Sequence, residues 1–336
     1  MLSTNVPRGT YDGPWGGDAG RVNAKLKLIA DGQGGVFSRR QALASGYTPR
    51  QIVQRLGDGR WVQIRRGQYA ERLDVTAMPP WEQQRTAHLR SVHAVMNSLR
   101  AGTVVVSHQS ALALHGLPLW GLDLTRVHVN RVNDRAGGLV AGVQHHLGGL
   151  VPADLTHVDR LPATTVPRAL VETACTTSFE AAVVNADAVL REGLLDAEEL
   201  RRLLAVIEFW PGSPTARAAL QFADPLSESA GESRLRVLMH QSGLPEPMLQ
   251  VEFSDSDGFV ARVDFSFPSY DTVVEFDGLL KYGGGSPEVL IREKRREDRL
   301  RALGIQVVRV TWADFNRPAY VAAAIRQAFA RARRAA

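Results

Sequence analysis

Residues 262–278 read RVDFSFPSYDTVVEFDG, and this stretch decides the fold of the C-terminal third. Polar and apolar residues alternate over 262–267, and a second strand-like run follows at 272–278. The segment Pro268-Ser269-Tyr270-Asp271 between them has turn-forming composition, so the pattern predicts a β-hairpin. If the turn takes four residues, Phe267 pairs with Thr272. The register then places Phe265 opposite Val274 and Val263 opposite Phe276, which are both apolar pairs.

The same register places Asp264 opposite Glu275 and Arg262 opposite Asp277 on the other face of the hairpin. Two residues directly opposite each other have Cβ atoms about 5 Å apart, so two carboxylates in these positions repel each other. Arg262 can neutralise Asp277, but no comparable cation in the hairpin faces the other two acids. A bound Mg²⁺ or Mn²⁺ would relieve the repulsion, because hard cations take carboxylate oxygens. The alternative is a pair of solvated acids on an exposed sheet face.

A helix predicted over Ser229–Gly243 precedes this hairpin and carries Glu232. The strings 231–236 (GESRLR), 263–265 (VDF), 274–278 (VEFDG) with Lys281-Tyr282, and 293–312 resemble the PD-(D/E)xK nucleases. More narrowly, they resemble a family of unknown function related to very-short-patch-repair endonucleases. The resemblance implies a restriction-endonuclease-like α/β domain over residues 223–336.

The resemblance also implies a catalytic set made of Asp264, Glu275, Lys281, Glu232 and Asp277. In that set Asp264 and Glu275 hold the metal, Glu232 completes the site through a water, and the metal activates a water for phosphodiester hydrolysis. The family pattern expects a lysine two residues after the second acid, where this chain has Asp277. Lys281 would replace that lysine, so the departure leaves cleavage itself open.

The N-terminal part predicts a winged helix-turn-helix. Ser38 can cap a helix that runs through Ser45, and Thr48-Pro49 begins another. The stretch 61–69 alternates like a strand and turns at Gly67. The second helix of such a motif enters the major groove, and the wing meets phosphates. The DNA-binding candidates are Arg39, Arg50, Gln51, Gln54, Arg55, Arg60, Arg65 and Arg66, together with Arg295 and Arg296 of the basic segment 292–301. A protein-docking module is the alternative.

Residues 35–43 (GVFSRRQAL), 59–61 (GRW) and 66–69 (RGQY) resemble the N-terminal domain of AbiEi-type antitoxins. The segment 107–117 (SHQSALALHGL) resembles the part that follows the winged helix in such regulators. These antitoxins are winged-helix repressors paired with nucleotidyltransferase-type toxins. The resemblance therefore implies DNA and a cognate toxin of that type as partners.

The chain of 336 residues has 40 basic and 35 acidic side chains, and the excess is clustered. Residues 37–72 hold eight arginines and two acids, and residues 289–336 hold twelve basic residues and four acids, which fits a polyanion partner. We expect a multi-domain α+β protein: a disordered leader (1–20), a winged helix-turn-helix (21–78), a mixed α/β middle domain (79–222) and the nuclease-like domain (223–336).

The sequence predicts a cytoplasmic protein that does not enter the membrane. No apolar run approaches the roughly 18 residues that span a bilayer, and the N-terminus lacks a signal-peptide pattern. Its one cysteine, Cys175, excludes an intrachain disulfide.

Histidines are concentrated in the middle of the chain, with seven of nine between residues 88 and 146. No two of them stand at a metal-ligand spacing with a carboxylate nearby, and the neighbours His145 and His146 should point to opposite faces of a strand. We therefore expect structural or solvated histidines.

Two functions remain open. The chain is either a metal-dependent endodeoxyribonuclease targeted by its winged helix or a non-catalytic AbiEi-like antitoxin or repressor that retains a nuclease fold. The sequence leaves open whether the protein is an enzyme.

Overall fold

The computed structural model describes residues 22–132, 137–278 and 287–335. The chain divides after Ala101 into two compact units, called unit 1 (up to Ala101) and unit 2 (from Gly102). The predicted leader and Lys281 lie outside the described residues. None of the helices in the described ranges is long and apolar enough to cross a lipid bilayer.

Unit 1 is built from four helices and a three-stranded antiparallel sheet with the strand order β1-β3-β2. Its elements are α1 (Ala24–Asp31), β1 (Val36–Ser38), α2 (Arg39–Ala44), α3 (Pro49–Gly57), β2 (Trp61–Arg65), β3 (Gln68–Glu71) and α4 (Pro80–Met96). The predicted order of short helices followed by a hairpin is confirmed.

Both predicted helix starts are confirmed by reciprocal side-chain caps. The Ser38 hydroxyl accepts a hydrogen bond from the Gln41 amide (3.2 Å), while the Gln41 side chain accepts one from the Ser38 amide (2.7 Å). Thr48 and Gln51 repeat this arrangement at the start of α3. Each cap satisfies backbone donors that a helix start leaves unpaired, so the two helices begin at fixed residues.

An aromatic cluster holds the helices of unit 1 against its sheet. The indole of Trp61 is 1% exposed and packs edge-on against Phe37 (4.7 Å between ring centres) and Tyr47 (5.0 Å). Ile52 of α3 and Leu26 of α1 are fully buried in the same core. The opposite side of α3 is thereby left at the surface.

Unit 2 begins with a six-stranded mixed sheet of order β6-β7-β5-β4-β9-β8. Its elements are β4 (Val104–Val106), α5 (His108–Leu114), β5 (Val127–Arg131), β6 (Gly138–Val140), β7 (Val143–His146), β8 (Leu155–Val158) and β9 (Leu161–Thr164). Five helices follow, namely α6 (Val166–Ala174), α7 (Phe179–Arg191), α8 (Ala197–Val206), α9 (Ser213–Phe222) and α10 (Ala230–Gln241).

A second, four-stranded sheet of order β10-β11-β12-β13 completes unit 2. It contains β10 (Met248–Asp255), β11 (Gly258–Phe267), β12 (Thr272–Asp277), α11 (Pro287–Ala302), β13 (Gln306–Thr311) and α12 (Pro318–Ala335). The β12–β13 pair is parallel and the other two pairs are antiparallel. Phe265 of the sheet packs with Leu235 of α10 and Ile325 of α12 in one core.

The predicted hairpin register is confirmed where β11 and β12 pair, at Phe265–Val274, Ser266–Val273 and Phe267–Thr272. The ladder then ends, because the Asp264 carboxylate accepts the Phe276 amide proton (2.7 Å). The predicted pairing of Val263 with Phe276 lies beyond this end.

The predicted partnership of Arg262 with Asp277 is wrong. Arg262 donates to Glu228 instead (2.8 Å), and Asp277 lies beside Thr311 in the parallel pairing with β13. The hairpin stops short of both residues, so each finds its neighbours on another element.

Gly231 allows α10 to lie directly on β12. A methyl group at this position would overlap the ring of Phe276, which also contacts Trp312 edge-on. The backbone of Gly231 does not adopt a left-handed conformation, so the requirement for glycine here is one of space alone.

Replacing Gly231 by alanine should destabilise unit 2 by about 1–3 kcal/mol, the usual result of forcing an extra methyl group into a packed core. Thermal and urea unfolding, followed by circular dichroism, measure this change. Gly149→Ala is the matched control, because that position has open space and an ordinary backbone conformation. Equal stability of the two variants would contradict the packing argument.

Candidate functional site

One face of α3 is exposed and carries side chains suited to a DNA groove. Arg50, Val53 and Gln54 lie at helical spacings of three and four, and Val53 is 65% exposed. Arginine and glutamine can bond to base edges, and an apolar side chain can contact the thymine methyl group. The burial of Ile52 on the other side fixes which residues face outward.

Two other predicted α3 residues stabilise the helix itself. The Gln51 side chain accepts from the Thr48 amide (2.8 Å) and closes the cap described above. The Arg55 guanidinium lies over the rings of Tyr47 (5.2 Å) and Trp61 (5.5 Å) and is half-buried. In this conformation both side chains therefore stabilise unit 1.

The turn between β2 and β3 brings two exposed arginines to one edge of unit 1. Arg66 precedes Gly67, whose left-handed backbone (φ of +74°) makes the tight turn. The Arg39 amide donates to the Gly67 carbonyl (2.9 Å), so the start of α2 lies against this turn. Both side chains are exposed and can meet phosphates.

Of the other predicted wing residues, Arg60 is paired with an acid of unit 1 and Arg65 is half-buried. Arg60 donates to Asp58 (2.8 Å from Nε to Oδ2), and this hydrogen bond lowers the pKa of Asp58. Nη1 of Arg65 is buried without a hydrogen-bond partner among the described residues.

In unit 2, Glu232 serves first as part of the cap of α10. Its carboxylate accepts from the Ser229 hydroxyl (2.7 Å), the Glu228 amide (2.9 Å) and the Gln250 side chain (3.0 Å). Burial raises the pKa of Glu232, and the neighbouring charge of Asp264 adds to the rise.

Asp264 and Glu275 are close enough to influence each other, but cations from other elements compensate them. Burial is the main cause that raises the pKa of both carboxyl groups. Arg296 of α11 donates to the Glu275 carboxylate, and Arg309 of β13 lies 3.8 Å from it. The sequence predicted that these acids lack a basic partner within the hairpin. Two arginines from outside the hairpin, one on α11 and one on β13, compensate Glu275.

Glu275, one of the two predicted metal ligands, is paired with an arginine side chain as folded. Among the described residues, the oxygens of Glu232, Asp264 and Glu275 do not converge as a ligand set. Arg296, which was predicted to contact DNA, donates a hydrogen bond to Glu275. Asp277, the other acid of the predicted catalytic set, is half-buried at the end of β12. Arg295 of α11, a predicted DNA contact, is exposed.

Gln250 belongs to this acidic region and was missed in the sequence. It lies between the β10–β11 pairs Leu249–Phe265 and Val251–Val263, level with Asp264, and it donates to Glu232. Its backbone is left-handed (φ of +52°), a strained conformation for a residue other than glycine. Its strand-like sequence context gave no signal of this.

Sequence reasoning also missed a histidine cluster in unit 2. One nitrogen each from His108, His128 and His146 lies within 4.8 Å of the others. The residues come from three separate elements, so no motif spacing shows them. His145, next to His146 on β7, lies on the other face of that strand because side chains alternate. Burial lowers the pKa of His108 well below its usual value and that of His146 to about 4, which keeps both rings neutral.

Replacing Asp264 by asparagine should stabilise the protein at pH 7. The raised pKa means that the folded state binds the proton more tightly than the unfolded state, so wild-type stability falls as pH rises from 3.8 through the folded-state pKa. The variant has no charge to bury, and its amide oxygen can still accept from Phe276. We expect the melting temperature at pH 7 to rise by about 2–4 °C, the response of a domain of this size to 1 kcal/mol.

The difference should shrink when the pH is lowered to about 4, because the raised pKa lets the wild-type carboxyl group take up its proton more readily than a free aspartate does. Calorimetric scans at both pH values measure it. The exposed Asp298→Asn change is the control and should alter neither value. A variant that is less stable than the wild type at pH 7 would show that the charge of Asp264 is needed for folding.

Comparison with known proteins finds a family model and two relatives. The family model described as "Transcriptional regulator, AbiEi antitoxin" matches residues 25–72, which run from α1 to β3 of unit 1. Uncharacterized proteins from two strains of Mycobacterium tuberculosis are 30% identical to this chain over 243 residues, which cover 72% of this chain and 87% of theirs. The chain therefore belongs to the family of these uncharacterized mycobacterial proteins and carries an N-terminal segment of the AbiEi regulator type.

Proposed function

We propose that this protein is a DNA-binding transcriptional regulator of the AbiEi antitoxin type. The observation that carries the proposal is the exposed face of α3, where Arg50, Val53 and Gln54 are free of the core. The AbiEi match covers this helix and the turn that carries Arg66.

The two sets of exposed side chains make different contacts, one with base edges and the other with phosphates. Arg50 has the geometry to bond a guanine edge, and Gln54 has the geometry to bond an adenine edge. Arg39, at the start of α2, and Arg66, at the β2–β3 turn, meet phosphates. They therefore contribute affinity without sequence preference. The DNA segment upstream of the gene is the first target to test, because antitoxins of this type act as repressors.

Replacing both Arg50 and Gln54 by alanine should weaken binding to that upstream duplex by about 10- to 100-fold and change binding to a scrambled duplex far less. Replacing both Arg39 and Arg66 should weaken binding to the two duplexes alike and reduce the salt dependence by about two phosphate contacts. Fluorescence anisotropy over a salt series with the full chain measures both effects.

Lys27→Ala is the matched charge control, because Lys27 is on α1 and is paired with Asp31 at 2.7 Å. It should bind as the wild type does. The proposal is wrong if the wild type does not prefer the upstream duplex to the scrambled one, or if the Arg50 and Gln54 double variant keeps that preference.

We further propose a nucleotidyltransferase-type toxin as the protein partner, which the likeness to AbiEi antitoxins implies. A gene for such a toxin beside the gene for this chain would support the pairing.

A metal-dependent endodeoxyribonuclease is the second candidate function. It is favoured by the half-buried and buried acids Glu232, Asp264 and Glu275, whose pKa values are all raised, and by the strained Gln250 among them. Clustered carboxyl groups with raised pKa values are typical of active sites, although ion-pair networks also produce them. Binding of Mg²⁺ or Mn²⁺ to Asp264 and Glu275 would require Arg296 to leave Glu275.

Incubating the full chain with supercoiled plasmid or single-stranded DNA and Mg²⁺ or Mn²⁺ tests the nuclease. If the chain cleaves DNA through these acids, Asp264→Ala and Glu275→Ala should each lose about 100-fold or more of the activity, since a metal contributes several kcal/mol to such a reaction. Asp298→Ala, on the exposed side of α11, should keep it. Equal residual cleavage by all four proteins would assign the activity to a contaminant and remove this candidate.

A further inference from the structure

The segment Ser107-His108-Gln109-Ser110, at the start of α5, wraps around one histidine of β5. The Gln109 side-chain nitrogen lies 2.9 Å from Nε2 of His128, and the Ser110 hydroxyl accepts the His128 amide proton (2.9 Å). The Ser107 hydroxyl lies 2.9 Å from Nδ1 of His108. The polar residues of this segment therefore converge on the histidine cluster of unit 2.

Strand pairing brings the other two histidines together. β5 and β7 are parallel neighbours in which His128 pairs with Gln144 and Asn130 pairs with His146. His128 and His146 thus lie diagonally on one face, with Nδ1 of His128 2.9 Å from Nε2 of His146. The ring of His108 stacks on that of His146, with ring centres 3.7 Å apart.

The backbone of His108 is set so that its ring reaches this cluster. Its φ of +53° is left-handed, which is uncommon for a residue with a side chain and costs conformational energy. The Glu172 carboxylate accepts the His108 amide proton (3.3 Å) and holds this start of α5 in place.

We propose that His108, His128 and His146 bind one divalent transition-metal ion of the zinc class, each through one ring nitrogen. Three imidazoles are the donor set that zinc takes when its fourth position is left to water or to another ligand. Tetrahedral zinc sets ligand nitrogens about 3.3 Å apart. The His128 and His146 nitrogens, at 2.9 Å, would separate slightly, and the stacked ring of His108 would tilt so that its in-plane lone pair points at the ion. His146 is half-buried and offers the side of entry.

The surroundings of the cluster match those of a metal site. Oε2 of the buried Glu172 lies 3.6 Å from Nδ1 of His108, and its Oε1 accepts from Arg168 (2.8 Å) and Asn130 (2.6 Å). A carboxylate behind a metal-binding histidine orients the ring and raises its basicity. Since Arg168 and Asn130 fix the carboxylate, the ring of His108 has little freedom to turn away.

Two buried polar atoms beside the cluster have no hydrogen-bond partner among the described residues, namely Oε1 of Gln109 and Oδ1 of Asn130. Buried acceptors of this kind are costly unless a donor reaches them. Turning the Gln109 amide would place its oxygen against Nε2 of His128, so that Nε2 carries the ring proton and Nδ1, the atom that faces His146, offers its lone pair to an ion. A water bound to the ion would be a donor for such acceptors.

Metal content of the full chain tests the proposal. The protein, purified with a tag that lacks histidine, is stripped with a chelator, loaded with Zn²⁺, freed of excess by gel filtration and analysed by mass spectrometry for metals. We expect about one zinc per chain. His128→Asn and His146→Gln should each lower the zinc content to the background level. His145→Gln, on the opposite face of the same strand, should keep the wild-type content.

Two further measurements separate loss of the site from loss of the fold. Zinc should raise the melting temperature of the wild type and of His145→Gln, a chelator should reverse the rise, and His128→Asn should show none although its circular dichroism spectrum stays native. Ser107→Ala should weaken zinc binding by about 10-fold, as outer-shell changes do. The proposal is overturned if the stripped wild type takes up no zinc, or if His146→Gln and His145→Gln bind it equally. Preference for Fe²⁺ or Ni²⁺ over Zn²⁺ would overturn the choice of ion.

Discussion

Arg168 has no solvent-exposed surface, yet it carries a full charge between two buried carboxylates. Its Nε donates to Glu172 (2.8 Å), and its Nη1 donates to Asp154 (3.0 Å), which a second arginine, Arg202, also contacts (2.8 Å). Removing one partner from a buried pair leaves an uncompensated charge, and the loss is about 3–5 kcal/mol. This requirement ties α6, the loop before β8 and α8 together.

The same constraint recurs through unit 2. Arg236 of α10 donates twice to Asp187 of α7 (2.9 and 2.8 Å), and so connects α7 to the helix that packs on the second sheet. Burial raises the pKa of Asp187, and the positive charge of Arg236 opposes that rise. At Glu275 the partner is Arg296. At Asp187 and Glu275 the compensating arginine comes from another element, 49 and 21 residues away in the chain.

These pairs also decide what the two chemical clusters of unit 2 can do. Because Arg296 pairs with Glu275, a cation could bind this carboxylate only after the arginine had moved away. Because Arg168 holds Glu172, the histidine cluster keeps a fixed carboxylate behind His108. The more promising ion site is therefore the one made of imidazoles.

Local patterns in the sequence determined the elements and much of the surface that we propose for DNA recognition. The caps at Ser38 and Thr48, the hairpin turn at Gly67 and the register from Phe265 to Phe267 depend on neighbouring residues, so they could be read directly. The exposed positions of Arg50 and Gln54 followed from helical spacing. Tertiary structure alone decided that Arg296 neutralises Glu275, that Arg262 turns to Glu228 and that three histidines from α5, β5 and β7 meet. Those outcomes depend on how buried charges and strands find partners across long separations in the chain, which local periodicity does not encode.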